Sequence, residues 1–158
     1  MKKVLFVCLG NICRSPAAQG IMESLVFQHN QQEEISVDSA GTIGYHAGAS
    51  PDPRMFNQAL TRGFELKHKA RKFNPDRDFK EFDYIVTMDD QNYIDVKNLD
   101  NKNLYSSKIY KMADFSSDQN VKIVPDPYDG GLEAFNSVID ILEDACANLL
   151  DKIIDDIK

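Results

Sequence analysis

The first apolar run, Val4-Leu5-Phe6-Val7, is continuous rather than alternating, the pattern of a parallel strand covered on both faces. Beyond it, Ala18, Ile21, Met22, Leu25 and Val26 recur three and four apart, which marks one face of a helix. Ser15 is placed to cap that helix and Pro16 to open its first turn. Ile35 to Ala40 predicts a second strand, and a Gly-, Ser- and Pro-bearing loop with Tyr45 and His46 runs from Gly41 to Pro53. A helix is expected over Pro53 to Thr61, with Gly63 just past its end. Lys67 to Asp78 is basic and loop-like, and Tyr84 to Met88 reads as a buried strand. A short helix over Asp89 to Val96 and a fourth strand over Lys108 to Lys111 follow. Val121 to Gly131 is turn-rich, and Phe135, Val138, Ile139, Leu142, Cys146, Leu149 and Ile153 then fall at helical spacing. Strands alternating with helices predict one α/β domain over residues 1–158, built on a parallel sheet.

Composition narrows the function classes. Lys and Arg number 18 against 25 Asp and Glu, a net charge of −7, which argues against a nucleic-acid-binding surface. No apolar run is long enough to span a membrane, and the four apolar residues after Met1, Lys2 and Lys3 are too few for a secretory segment. A cytoplasmic location is therefore expected. The 3 cysteines form no plausible disulfide framework, which favours chemistry over stapling, and no histidine has ligand spacing for a metal.

The chemistry-bearing segment is Cys8-Leu9-Gly10-Asn11-Ile12-Cys13-Arg14-Ser15-Pro16, which leaves the first strand and enters a helix. Open α/β sheets hold ligands at that place, and unpaired helix N–H groups there favour an anion. Gly10 is expected to let the loop curl so that its amides form a nest, and Arg14 offers a planar fork for two phosphate oxygens. The field that holds a dianion also favours a thiolate, so Cys8 is expected to be a nucleophile rather than a buried apolar filler. Cys13 is either packing or the resolving thiol for an oxidised Cys8. Ser15 could also hydrogen-bond the Cys8 sulfur. Transfer through cysteine needs an acid as well, and Asp126, in Asp-Pro-Tyr before the last helix, is a candidate that residue chemistry alone does not single out.

These motifs together resemble the low-molecular-weight protein tyrosine phosphatases. Asp38-Ser39-Ala40-Gly41-Thr42, Ser50-Pro51-Asp52-Pro53-Arg54, His68 and Ala70-Arg71 extend the match along the whole chain. The resemblance implies a four-stranded parallel sheet flanked by helices on both faces, no metal and no cofactor. It implies Cys8 as nucleophile, Arg14 as phosphate clamp and Asp126 as general acid, acting on phosphotyrosyl proteins. A tyrosine kinase is the pathway partner that such substrates imply. Asn11, Ser15, Ser39 and His68 match the polar network that shapes the loop, with Asn11 and Ser15 counted, like Gly10, Ile12 and Cys13, among the substrate-binding residues. Leu9, Tyr45 and Tyr128 match the walls of the cleft.

Two positions depart from the family pattern: Asp129 stands where a second tyrosine is common, and Tyr45 where tryptophan is common. Both bear on substrate preference. An arsenate reductase of this fold needs a relay cysteine pair, which the chain lacks between Cys13 and Cys146. A protein arginine phosphatase resembles the chain too, but carries threonine where Ile12 stands. A non-catalytic phosphoprotein-binding module would be expected to lose Cys8, Arg14 or Asp126, and all three are present.

Overall fold

The structure is a computed structural model that describes residues 1–158. In chain order its elements are β1 (Lys2–Cys8), α1 (Arg14–Gln28), β2 (Ile35–Gly41), α2 (Pro53–Thr61), α3 (Asp78–Glu81), β3 (Tyr84–Thr87), α4 (Asp90–Leu99), β4 (Ile109–Lys111) and α5 (Leu132–Ile157). The four strands form one parallel sheet in the order β2-β1-β3-β4. The order reverses beside β1, so the loops leaving its carboxyl end line the crevice where such sheets bind ligands.

Alternation along β1 divides the core. Val4, Phe6 and Cys8 face a large cluster that includes Ile21 and Met22 of α1, Met55 of α2 and the buried stripe of α5 from Phe135 to Ile153. Leu5 and Val7 face a smaller one made with Phe73, Phe79, Phe82, Ile85, Val96 and Ile109. Both faces of β1 are thus covered, which accounts for its unbroken apolar run. No helix is long and apolar enough to cross a membrane.

The helix starts correct two expectations. α1 begins at Arg14 with Cys13 in the cap position and no side-chain cap, so Ser15 lies inside the first turn and Pro16 is its third residue. The anion loop itself leads into the helix, which leaves the Ser15 hydroxyl free for another partner. α2, by contrast, is capped by Asp52, whose side chain accepts from the Arg54 backbone N–H at 2.9 Å, with Pro53 opening the helix.

Candidate active site

The loop from Leu9 to Cys13 links the end of β1 to the start of α1. None of the backbone N–H groups from Leu9 to Ser15 donates to another backbone group, so they remain available to a ligand. The left-handed bend falls on Asn11 (φ 59°) rather than on Gly10. Asparagine tolerates that conformation, and its side chain uses every donor and acceptor it has. Asn11 Nδ2 donates to Ser15 Oγ at 2.7 Å and to Ser39 Oγ at 3.0 Å. Its Oδ1 accepts from His68 Nε2 at 2.8 Å and from the Arg71 backbone N–H at 2.9 Å. Gly10 has a different role: a Cβ there would lie 2.9 Å from His46 Cδ2, so the missing side chain admits the His46 ring.

Cys8 is 2 % exposed, and its Sγ lies 3.0 Å from Ser15 Oγ. Behind the loop, Ser39 Oγ donates to Gln19 Oε1 at 2.7 Å, so β2, α1 and the loop share one buried hydrogen-bond chain. His68 is less basic than the ordinary 6.5 because it is buried; Asp38 opposes that, while Arg71 reinforces it. Asp38 already accepts from Arg71 Nε and Nη2 at 3.2 and 3.0 Å, and its oxygen is 3.5 Å from His68 Nδ1. Its charge is thus largely taken up by the guanidinium, and burial prevails.

Arg14 is almost fully buried. Its Nη1 donates to Asp89 Oδ2 at 2.6 Å and to the Val124 carbonyl at 3.1 Å, and Nη2 lies 3.8 Å from Asp126 Oδ2. Asp89 is itself fixed as the cap of α4, where its Oδ1 accepts from the Asn92 N–H at 2.8 Å. Asp126 is exposed, and its Oδ1 accepts from the Tyr128 N–H at 3.0 Å, a tight turn that orients the carboxylate.

Cys8, Leu9, Gly10, Ile12, Cys13, Arg14, Tyr45, Asp126 and Tyr128 all line one cavity of about 340 Å³, joined by Ile43, His46 and Asp129. Asn11 and Ser15, expected against the substrate, do not line it; they brace the loop from behind with Ser39 and His68. The sequence gives no role to Asp89 or Asp78, and marks Asp38 and Arg71 only as part of the family match, not as the charged group they form with Asp78. Asp89 follows the carboxyl end of β3, a position that could have flagged it. No group of three or more His, Cys, Asp or Glu side chains is arranged to hold a metal ion. The thiol of Cys13 is pushed well up by burial, then by Asp52, so it stays protonated at neutral pH.

A buried sulfur at the head of a loop whose amides have no backbone acceptor, with a fixed guanidinium and an exposed carboxylate lining the same cavity, suits displacement at a phosphorus centre. Comparison with known proteins agrees. The family model described as low molecular weight phosphotyrosine protein phosphatase matches residues 3–158. A Synechocystis protein assigned by name to the low molecular weight protein-tyrosine-phosphatases is 48% identical over 148 residues, 94% of each chain. The crystal structure of a protein tyrosine phosphatase from Entamoeba histolytica superposes with a TM-score of 0.93 at 44% identity, covering 100% of both chains. A Drosophila arginine phosphatase superposes with a TM-score of 0.88 at 32% identity, over 97% of this chain and 98% of that one. The full-length match and the anion loop at the sheet's switch point lead to one conclusion: this chain is a hydrolase of the low molecular weight phosphotyrosine protein phosphatase family.

Proposed function

We propose that the protein hydrolyses phosphotyrosyl proteins through a phosphocysteine intermediate. The supporting observation is that Cys8 Sγ, held 3.0 Å from Ser15 Oγ, opens into the cavity that Arg14 and Asp126 also line. The phosphoryl group would sit in the ring of free amides with two oxygens on the Arg14 fork. Cys8 Sγ attacks phosphorus in line, the P–O bond to the tyrosyl oxygen breaks, and Asp126 gives its proton to that oxygen. Water then attacks the phosphocysteine with Asp126, now a carboxylate, as base. Phosphate leaves and the Cys8 thiolate returns, stabilised by the Ser15 hydroxyl. A tyrosine kinase would be the source of the substrate.

The walls favour an aryl ester. Leu9, Tyr45 and Tyr128 stand exposed around the mouth, so a tyrosyl ring can reach the loop and pack against them. A serine ester would draw the peptide backbone into the same walls. Ile12 also lines the cavity and has no group to hydrogen-bond a guanidinium, which supports tyrosine over arginine.

The test is turnover of phosphotyrosyl, phosphoseryl and phosphoarginyl peptides by wild type and by Cys8→Ser. Turnover of the tyrosyl peptide alone, abolished in Cys8→Ser, is expected. Preferred turnover of phosphoarginine would move the protein to the other chemistry of its fold, and activity retained by Cys8→Ser would remove the covalent step.

A further inference from the structure

Asp52 and Arg54 lie outside the cavity, yet together they bridge the phosphate loop and the loop that carries Asp126. The Asp52 backbone N–H donates to the Ile12 carbonyl of the phosphate loop at 2.8 Å. Its carboxylate, 8 % exposed, holds one edge of the Arg54 guanidinium, Nε on Oδ1 at 3.1 Å and Nη2 on Oδ2 at 2.9 Å. The other nitrogen, Nη1, donates to the Tyr128 carbonyl at 2.8 Å, 74 residues away. The same guanidinium is 5.2 Å from the Tyr128 ring centroid and 4.6 Å from that of Phe135, which is fully buried in α5.

The acid-bearing loop has few other ties, and from the phosphate-loop side they come from Arg14, whose Nη1 donates to the Val124 carbonyl at 3.1 Å and whose Nη2 lies 3.8 Å from Asp126 Oδ2, too far for a hydrogen bond. The loop's entry is fixed by Val124, whose N–H donates to the Met88 carbonyl at 2.8 Å, and the Gly130 N–H bonds only within the loop, to the Pro127 carbonyl. Between these points Tyr128 has two ties: its N–H orients the Asp126 carboxylate, and its carbonyl rests on Arg54. A planar fork with three nitrogens suits this role, because two can stay on Asp52 while the third reaches across.

We propose that Arg54 is a positioning residue for Asp126, holding the acid loop in register with the phosphate loop so that the carboxyl group meets the leaving oxygen. The inference rests on Asp126 being the general acid, and the experiment separates the two. The values of kcat/KM for phenyl phosphate and p-nitrophenyl phosphate are compared in wild type, Arg54→Ala, Arg54→Lys, Asp126→Asn and the Arg54→Ala/Asp126→Asn double variant. The nitrophenolate leaves with little protonation, so a misplaced acid shows selectively on phenyl phosphate.

Arg54→Ala is expected to lose about tenfold more on phenyl phosphate than on the nitrophenyl ester, the size of one charge-assisted hydrogen bond. Vanadate inhibition should be unchanged, because the loop amides and Arg14 keep their own anchors. Arg54→Lys should fall between, since an ammonium cannot span both acceptors, and it carries the same comparison if the alanine variant fails to fold. In the Asp126→Asn background, Arg54→Ala should add no further selectivity. Equal losses on both esters, or selectivity that adds to that of Asp126→Asn, would overturn the role of Arg54 while leaving the acid in place. Absence of selectivity in Asp126→Asn itself would remove the acid, and with it anything for Arg54 to position.

Discussion

Gly41→Ala is expected to impair turnover although Gly41 itself does not line the cavity. A Cβ at this position would lie 2.7 Å from the Leu9 carbonyl oxygen and 3.1 Å from both the Asn11 nitrogen and the Gly10 carbonyl carbon. All three are backbone atoms of the phosphate loop, so no side-chain rotation relieves the overlap. Gly41 itself cannot retreat. Its N–H donates to the Arg71 carbonyl at 2.8 Å, its carbonyl accepts from the Phe73 N–H at 2.7 Å, and β2 pairs with β1 directly beside it. The loop must therefore give way, by about 0.7 Å to reach the 3.4 Å of ordinary contact. Overpacking of this kind costs roughly 1–3 kcal/mol, which for a chain of this size lowers Tm by about 3–10 °C. Misplacement approaching 1 Å reduces kcat/KM by on the order of 10²-fold. The assay is kcat/KM on p-nitrophenyl phosphate beside a thermal melt, with Gly44→Ala as control, since a Cβ there meets only the flexible Lys72 side chain at 3.5 Å. A Gly41→Ala enzyme with wild-type kcat/KM would refute the reasoning.

Two further outcomes concern the surroundings of the loop. His68 is less basic in the folded chain than its ordinary 6.5, so the unfolded chain binds more protons and folding stability falls as pH drops through 6.5 toward the lower folded value. His68→Gln is expected to flatten that fall; parallel urea midpoints for the two proteins between about pH 7.5 and 5.5, either side of the ordinary imidazole value, would show that another group is responsible. Mild peroxide is expected to convert Cys8 to a sulfenic acid that Cys13 then captures, releasing water and leaving a disulfide that thiol reductant reverses. Cys13→Ser should instead lose activity for good; if it recovers as well as wild type, Cys13 only packs.

The parts of the site legible in the sequence are those whose physics is local. A cysteine at the end of a buried strand, a short loop and an arginine opening a helix describe a strand–loop–helix unit within nine residues, Cys8 to Pro16, and the structure folds them that way. Ser15 was misread because capping propensity is a local average, whereas the cap position here goes to Cys13 at the end of the anion loop. Gly10 marks where the loop can curl, but not that the left-handed turn falls on Asn11, which reaches that conformation with four hydrogen bonds in support. Asp126 could be named only through resemblance, since as one acid among 25 it has no local signature. The pairings of Asp89 and Arg54 were out of reach for a plainer reason. Their partners, Arg14 and Tyr128, lie 75 and 74 residues away, and no periodicity encodes such pairings.

The saturated Asn11 side chain divides the molecule into two regimes of evolutionary freedom. Because all its bonds run to α1, β2 and the 68–71 segment, the ring of amides is held by residues that never meet the substrate's organic half. The residues that the proposed function sets against it, such as Tyr45 at 84 % exposure and Tyr128 at 47 %, have their side chains largely outside the core. Substitutions at the mouth can therefore redirect the enzyme toward new phosphoproteins while reactivity stays fixed, whereas almost any change around Asn11 alters reactivity toward all of them together. Tyr45 and Asp129, both departures from the family pattern, lie in the first territory, where lineages can diverge in what they dephosphorylate without relearning how.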